Sequence, residues 1–267
     1  MNAPRDPWLV LGLGLLGLLA LLALVGPLLG GADPDFIRLD ERLLPPFIPG
    51  HLLGTDQLGR SMAARLLTGL AWSMATAGLA TLIAFVIGTC FGLVAASGQW
   101  PFAGIIRQIT ALAQSFPVFV LAAATIAIVG NGYWAVVSTL GLVTWPVFAR
   151  VVEAEASSLL TREYVLAARM MQMSALRLFA IHLLPGLVPS LSVLAAFHFA
   201  DMLIAESALS FLGIGAPLGA ATWGAMLSES RAYLLTAPWM LLVPAAAVVM
   251  VVIACNLAGD GLRRRFA

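Results

Sequence analysis

One polar, helix-prone island of this chain is Glu163-Tyr-Val-Leu-Ala-Ala-Arg-Met-Met-Gln-Met-Ser-Ala-Leu-Arg-Leu-Phe-Ala-Ile-His-Leu-Leu-Pro185, and it separates two long apolar runs. Of the 267 residues, 61% are hydrophobic and only 10% are charged. A soluble domain of this length carries about 25% charged residues. Lipid is therefore the solvent for most of the chain, which predicts an all-α membrane protein.

Composition also excludes several classes of function. The net charge is only +1, which gives no field for nucleic acid. All 14 basic residues are Arg, so the chain has no Lys for a Walker A loop or a Schiff base. Cys90 and Cys255 lie in apolar runs without partners at metal-site spacing, which indicates structural thiols in helices.

The length of the apolar runs predicts six transmembrane helices, because a spanning helix needs about 20 largely apolar residues. An early basic residue, Arg5, is also typical of a secretory signal, but the first run is longer than the apolar region of such a signal, about 7–15 residues. We therefore expect an uncleaved first helix. The expected spans lie near 8–29, 68–96, 103–129, 133–150, 183–205 and 237–258.

The distribution of Arg sets the expected orientation. Six spans place nine Arg on the side of the N-terminus: residues 5, 107, 150, 162, 169, 177 and 263 to 265. The positive-inside rule makes that side cytoplasmic, together with both termini. A seventh span through the Gly-rich stretch 207–228 would move the last three Arg outside, so we interpret 207–236 as an external, partly buried loop.

The expected organisation has three parts. Residues 1–67 hold the first helix and an external segment, 68–258 form a core with five helices and a cytoplasmic loop over 151–182, and 259–267 form a cytoplasmic tail. The external segment 30–65 is rich in Pro and acidic residues, which predicts irregular structure. A solvated connector and a docking surface for an external partner both fit it.

Besides Glu163–Pro185, six segments carry recognisable motifs, in order along about 200 residues: His51–Arg60, Thr144–Arg150, Ala205–Gly213, Thr222–Leu227, Arg231–Trp239 and Asn256–Leu262. Together they resemble the membrane subunits of ATP-binding-cassette (ABC) importers for dipeptides, oligopeptides and nickel. Glu163–Pro185 looks like the cytoplasmic EAA loop of those subunits. The similarity is to the second permease subunit of such systems.

The resemblance implies a type I ABC importer permease fold and a function in import across a bacterial inner membrane. It implies four kinds of partner besides lipid: a second homologous permease, two ATPase subunits and an external solute-binding protein. ATP and Mg²⁺ would be used by those partners, and this chain would bind no cofactor and would not be an enzyme. Expected cargo is peptides, nickel or other metal chelates, or opine-like conjugates.

By the same resemblance, the EAA loop couples the chain to an ATPase. The expected coupling residues are Glu163, Ala167, Ala168, Arg169, Gln172 and Arg177. Small Ala side chains allow close approach, the Met residues nearby offer adaptable surface, and the two Arg can pair with acidic groups. An amphipathic loop resting on lipid headgroups is the alternative.

Two positions of the loop depart from the family pattern. The EAA Glu is replaced by Leu166, and the Gly that permits a turn between two helices is replaced by Gln172. A left-handed residue there costs about 1–2 kcal/mol. Either a continuous helix or a different turn is therefore expected.

The candidates for the translocation path are His198 and Asp201 in the fifth span and Glu206 at its outer end. His198 and Asp201 share a helix face, and ionisable groups at membrane depth usually face a cavity. A pair that satisfies itself between helices is the structural alternative. One His and one carboxylate do not make a metal site, and we expect His182 to support the loop at the membrane boundary.

The main alternative function is a stand-alone proton-coupled secondary transporter that uses Asp201 and His198 as a relay. Such transporters carry inverted repeats with interrupted helices, and the sequence shows no internal repeat. A membrane enzyme is a third class, but no nucleophile–base pair or metal motif supports it.

Overall fold

The computed structural model describes residues 6–29, 33–98, 102–217 and 219–266. Over these residues the chain is helical, with extended pairing only at two isolated bridges. The helices are α1 Pro7–Leu29, α2 Met62–Ser97, α3 Ala103–Gln114, α4 Val118–Val129, α5 Tyr133–Leu160, α6 Glu163–Met170, α7 Ala175–Leu178, α8 Leu184–Phe211, α9 Trp223–Ser230 and α10 Trp239–Phe266. Short 3-10 turns cover Leu39–Glu41 and Arg231–Tyr233, and a π-helical turn, Phe179–Leu183, leads into α8.

The described helices confirm the predicted fold class. Five of them are long and apolar enough to cross a membrane: α1, α2, α5, α8 with its preceding turn, and α10. The pair α3–α4 makes a sixth crossing if it counts as one span, and its two helices meet at 92°. No helix of spanning length lies between Phe211 and Trp239 among the described residues, as the sequence predicts.

The span predicted near 103–129 consists of two helices joined at a sharp bend. α3 ends at Gln114, and Pro117 stands directly before α4. Proline has no amide hydrogen and disfavours helical backbone in the residue before it. Phe116 therefore cannot continue α3, although the apolar composition runs unbroken through the bend.

Several helices also run beyond their predicted spans. α2 begins at Met62, where the side chain of Ser61 accepts a hydrogen bond from Ala64 N. α5 continues to Leu160 and so takes up the first part of the predicted 151–182 loop. α10 reaches Phe266, so the predicted tail is a helical continuation of the last span.

Small residues bring the helices of the core together. Gly88 and Gly92 of α2 lie against the backbone of α5, where an added side-chain carbon would stand 2.5 Å from a carbonyl oxygen. Gly12 of α1 lies against Ala258 of α10 in the same way. In lipid such close approach drives helix association through dispersion contacts. α2 and α5 thus form a closely packed pair on which α8 rests.

The bundle has two distinct ends. At one end Trp239 Nε1 donates to Thr55 O (3.1 Å), and Gly132 N donates to Gly215 O (2.7 Å). We call this the outer end, after the orientation that the sequence predicts; it comprises 33–61, 130–132, 212–217 and 219–238. The opposite, inner end carries the loop 161–183, and there Arg107 of α3 pairs with Glu153 of α5.

Candidate functional site

The loop 161–183 at the inner end is folded on an apolar core of its own. Val165 and Ala168 of α6 and Leu178 of α7 are buried, with Leu160 and Met173 packed against them. This small core, which includes Leu160 at the end of α5, holds the two short helices together. Ala168, which we expected to face a partner, instead faces this core.

The other face of α6 is exposed and largely apolar. Met170 and Met171 are 85% and 80% exposed, and Tyr164 and Leu166 are also open. Ala167 lies on the same surface, Arg169 is half-buried, and Arg177 and Glu163 are exposed. We call Tyr164, Leu166, Ala167, Met170 and Met171 the α6 face.

Gln172 decides between the two expected shapes of the loop. Its φ of 56° lies in the left-handed region, so α6 and α7 are separate helices rather than one. Gln172 N donates to Arg169 O (2.9 Å) and Met173 N to Ala168 O (3.3 Å), which closes the end of α6. Gln therefore adopts the backbone that suits Gly, with the strain that a side chain adds there.

His182 lies in the π-helical turn where the loop joins α8. Its ring centroid is 5.9 Å from that of Tyr164 at the start of α6. The two ends of the loop therefore touch. This position at the boundary between loop and span is where we expected His182 to act.

A cavity of about 370 Å³ opens between α4, α5 and α8. Its wall is mostly apolar. The lining residues are Val118, Phe119, Ala122, Leu140, Thr144, Val147, His198, Asp201, Met202, Ile204, Ala205 and Ala208. His198 and Asp201, two of the three candidates for the translocation path, are brought together here.

His198 and Asp201 do not satisfy each other. Among the described residues, no ion pair and no side-chain hydrogen bond joins His198 to Asp201. His198 is 3% exposed, and its Nδ1 lies 3.3 Å from Thr81 Oγ1. Its Nε2 has no hydrogen-bond partner, and Asp201 is exposed. The self-satisfied pair is therefore not what the structure contains.

Glu206 lies apart from the cavity. It is completely buried, and its carboxyl oxygens accept hydrogen bonds from Ser210 (2.8 Å) and from Ser73 of α2 (2.9 Å). Ser207 is a third hydroxyl at 3.4 Å. Glu206 thus joins α8 to α2 and is not among the residues that line the cavity.

An ion cluster at the outer end escaped the sequence analysis. Arg65 Nη1 donates to Asp56 Oδ2 (2.8 Å) and to Glu229 Oε2 (2.6 Å), and Arg60 binds the same two carboxylates at 2.6 and 2.9 Å. Asp56 and Arg65 are buried. We call Asp56, Arg60, Arg65 and Glu229 the outer cluster. The one sequence signal for it is an Arg just inside an apolar helix.

The outer cluster changes the acidity of Glu229. Burial acts to raise the pKa of this carboxyl, but hydrogen bonding to Arg65 and the positive charge of Arg65 outweigh it, with help from Gln57 and Arg60. The pKa of Glu229 is therefore held below its ordinary value. Glu229 stays ionised and bridges α9 to the start of α2.

The bundle and its inner loop define the fold of the chain. The fold is similar to that of the methionine ABC transporter MetNI in an inward-facing conformation, with a TM-score of 0.65 and 21% identity, over 77% of this chain and 98% of that one. An amino acid ABC transporter solved with histidines matches with a TM-score of 0.57 and 16% identity, over 75% and 94%.

Residues 88–267 match the family described as the inner membrane component of binding-protein-dependent transport systems, and the chain belongs to that family. A dipeptide transport system permease of Alkalihalophilus pseudofirmus is 32% identical over 255 residues, 95% of this chain and 83% of the relative. A nickel transport system permease of Escherichia coli K12 is 34% identical over 253 residues, 95% and 91%.

A putative peptide permease of Brucella suis is 36% identical over 219 residues, which is 81% of this chain and 72% of the relative. These relatives confirm the resemblance to peptide and nickel importer permeases. They give no support to a stand-alone proton-coupled transporter. The chain is a permease subunit of an ABC importer.

Proposed function

We propose that this chain is one of two permeases in an importer that moves small peptides into the cell, with nickel as the second candidate cargo. The cargo classes come from the relatives, which include dipeptide and nickel permeases. The observation that carries the coupling role is the α6 face, an apolar surface raised on its own core at the inner end.

The α6 face fits the groove of an ATPase subunit. An amphipathic helix seated in a hydrophobic groove is a common recognition mode, and Met side chains adapt to such surfaces. Ala167 permits close approach, while Glu163, Arg169 and Arg177 are placed for polar contacts at the rim. Gln172 sets the angle between α6 and α7, so it positions the face rather than touching the groove.

The cavity is this chain's half of the translocation path. Asp201 is exposed on a helix that crosses the membrane, and an ionised carboxylate facing lipid is costly. The side of α8 that carries Asp201 therefore faces the second, homologous permease and a wet path between the two. His198 lines the same wall, whereas Glu206 fastens α8 to α2 behind it.

ATP and Mg²⁺ act on two ATPase subunits and not on this chain, which has no Lys for a P-loop. Both termini and the α6 face lie in the cytoplasm, following the Arg distribution. An external solute-binding protein delivers cargo to the outer end. Closure of the ATPases moves α6 as a rigid body and exchanges inward-facing and outward-facing packings.

The test is reconstitution of the full complex in proteoliposomes, with the chain alone as the control. We expect uptake of labelled dipeptides and tripeptides that requires ATP, the ATPases and the binding protein. Radioactive nickel in a parallel assay decides between the two cargo classes. Uptake by the chain alone under a proton gradient, without ATPases, would contradict the proposal.

A further inference from the structure

The cavity between α4, α5 and α8 has almost no free polar groups. Nine of its lining residues are apolar, and the polar ones are Thr144, His198 and Asp201. The hydroxyl of Thr144 donates to Leu140 O (2.7 Å) within its own helix. The wall therefore has two other polar side chains, His198 and Asp201, on successive turns of α8.

Asp201 sets the sign of the charge in the cavity. It is the one acidic residue of the lining, and no Arg is among the lining residues. Arg150 of α5 is the nearest basic residue along that helix, one turn beyond Val147, and it is not part of the wall. In apolar surroundings a carboxylate attracts a cation more strongly than in water, because the effective dielectric constant is lower.

His198 forms a fixed part of the cavity wall. Its ring is held by Thr81 at Nδ1 and packs on Phe148, with ring centroids 4.9 Å apart. Nε2 has no hydrogen-bond partner, but this atom is itself closed off from the cavity. Asp201, which is exposed, is therefore the polar group of the wall that cargo can reach, and the His198 ring stands beside it.

The geometry points to a charge-selective subsite: the cavity accepts cargo that carries an ammonium group on an apolar body, with Asp201 as the counter-charge and the apolar wall around it holding the body. In a peptide this group is the free N-terminus. A volume of about 370 Å³ lies within the range of small-ligand pockets, about 300–1,000 Å³. This inference rests on the proposed import function.

The experiment compares a hydrophobic tripeptide with its N-acetylated form, each at saturating binding protein, in the reconstituted complex. The measured quantity is the initial uptake rate of the free tripeptide divided by that of its N-acetylated form. The preference of the binding protein is the same for every permease variant, so it cancels when ratios are compared. The variants are Asp201→Asn, Asp201→Glu and, as the matched control at the outer surface, Asp40→Asn.

We expect Asp201→Asn to lower the ratio about tenfold, equal to about 1.4 kcal/mol, and Asp201→Glu and Asp40→Asn to keep the wild-type ratio. Loss of uptake for both peptides in equal measure with Asp201→Asn overturns the subsite, as does an unchanged ratio. If Asp201→Asn does not assemble, a wild-type ratio near one overturns it instead. Absence of any peptide uptake by the wild-type complex defeats the proposed function itself.

Discussion

The two ends of the bundle are built by opposite means. At the outer end the segment 33–61 is fastened to α9 by the outer cluster, four charged side chains that are mostly buried. At the inner end the loop 161–183 rests on three buried apolar side chains and leaves the α6 face open. The first end is fastened by buried charges although it also exposes Phe47 and Leu235, and the second is held by a small apolar core.

The largest effect is expected at the outer cluster. Arg65→Ala leaves Glu229 and Asp56 with one cation between them, and breaking a buried pair costs about 3–5 kcal/mol. The fall in melting temperature of the purified chain in detergent measures this loss of stability. The control is Arg38→Ala, which removes an exposed pair with Glu41 worth about 0–1 kcal/mol. Equal melting temperatures for the two variants would mean that the outer end is not locked by charge.

A large effect on transport, without one on stability, is expected at the inner end. Met170→Asp combined with Met171→Asp places two charges on the α6 face, which opposes seating in an apolar groove. Peptide uptake should fall about tenfold or more, equal to about 1.4 kcal/mol of lost ATPase affinity.

The melting temperature of this double variant should stay at the wild-type value, because surface substitutions usually change stability by less than about 0.5 kcal/mol. Leu235→Asp, at the fully exposed outer residue (99%), is the matched control: it should leave binding of the ATPase subunits unchanged, whereas the double variant should weaken it. Undiminished uptake in the double variant would remove the α6 face from the coupling mechanism.

A smaller effect is expected when the stability of the outer end is measured at different pH values. The folded-state pKa of Glu229 is depressed below its ordinary value of 4.5. Its contribution to stability is therefore fully present above about pH 4.5 and is lost as the pH falls through the lower folded pKa. Melting temperatures of wild type and Glu229→Gln should differ at pH 7, and the difference should shrink as the pH falls below about 4.5. A constant difference across that range would show that Glu229 does not bind as a carboxylate.

The smallest effect is expected at Gln172. Gly accepts a φ of 56° without the steric cost of a side chain, so Gln172→Gly should stabilise the loop by up to about 1 kcal/mol. The matched control is Gln108→Gly in the regular helix α3, which should destabilise by about 1 kcal/mol. Hydrogen exchange of residues 161–183 measures the first change locally, and faster exchange in Gln172→Gly would contradict the left-handed turn.

The sequence predicted what depends on run length and local pattern. The apolar runs predicted the five long spanning helices. The polar island predicted the inner loop, and its motif predicted the EAA resemblance. The bend at Pro117 was missed because apolar composition does not change across it. The shape at Gln172 stayed open because Gln tolerates either conformation at modest cost.

The outer cluster was out of reach for a different reason. Glu229 and Arg65 are far apart in the chain, and nothing local to either residue marks the other as its partner. The cavity depends in the same way on three helices meeting, so His198 and Asp201 were named from α8 alone. Their contact with cargo stays a prediction, and so does the role of each coupling residue.

Site-directed labelling of the two ends tests the account most directly. Cys90 and Cys255 are first replaced by Ala, and single Cys residues are then introduced by Met171→Cys and Leu235→Cys. A membrane-impermeant maleimide should label Met171→Cys only in inside-out vesicles, and bound ATPase subunits should slow that labelling at least tenfold. Leu235→Cys should label only from the opposite side and be indifferent to the ATPases. Labelling of Met171→Cys from outside, or at an unchanged rate with ATPases bound, would contradict the assignment of the inner loop as the coupling surface.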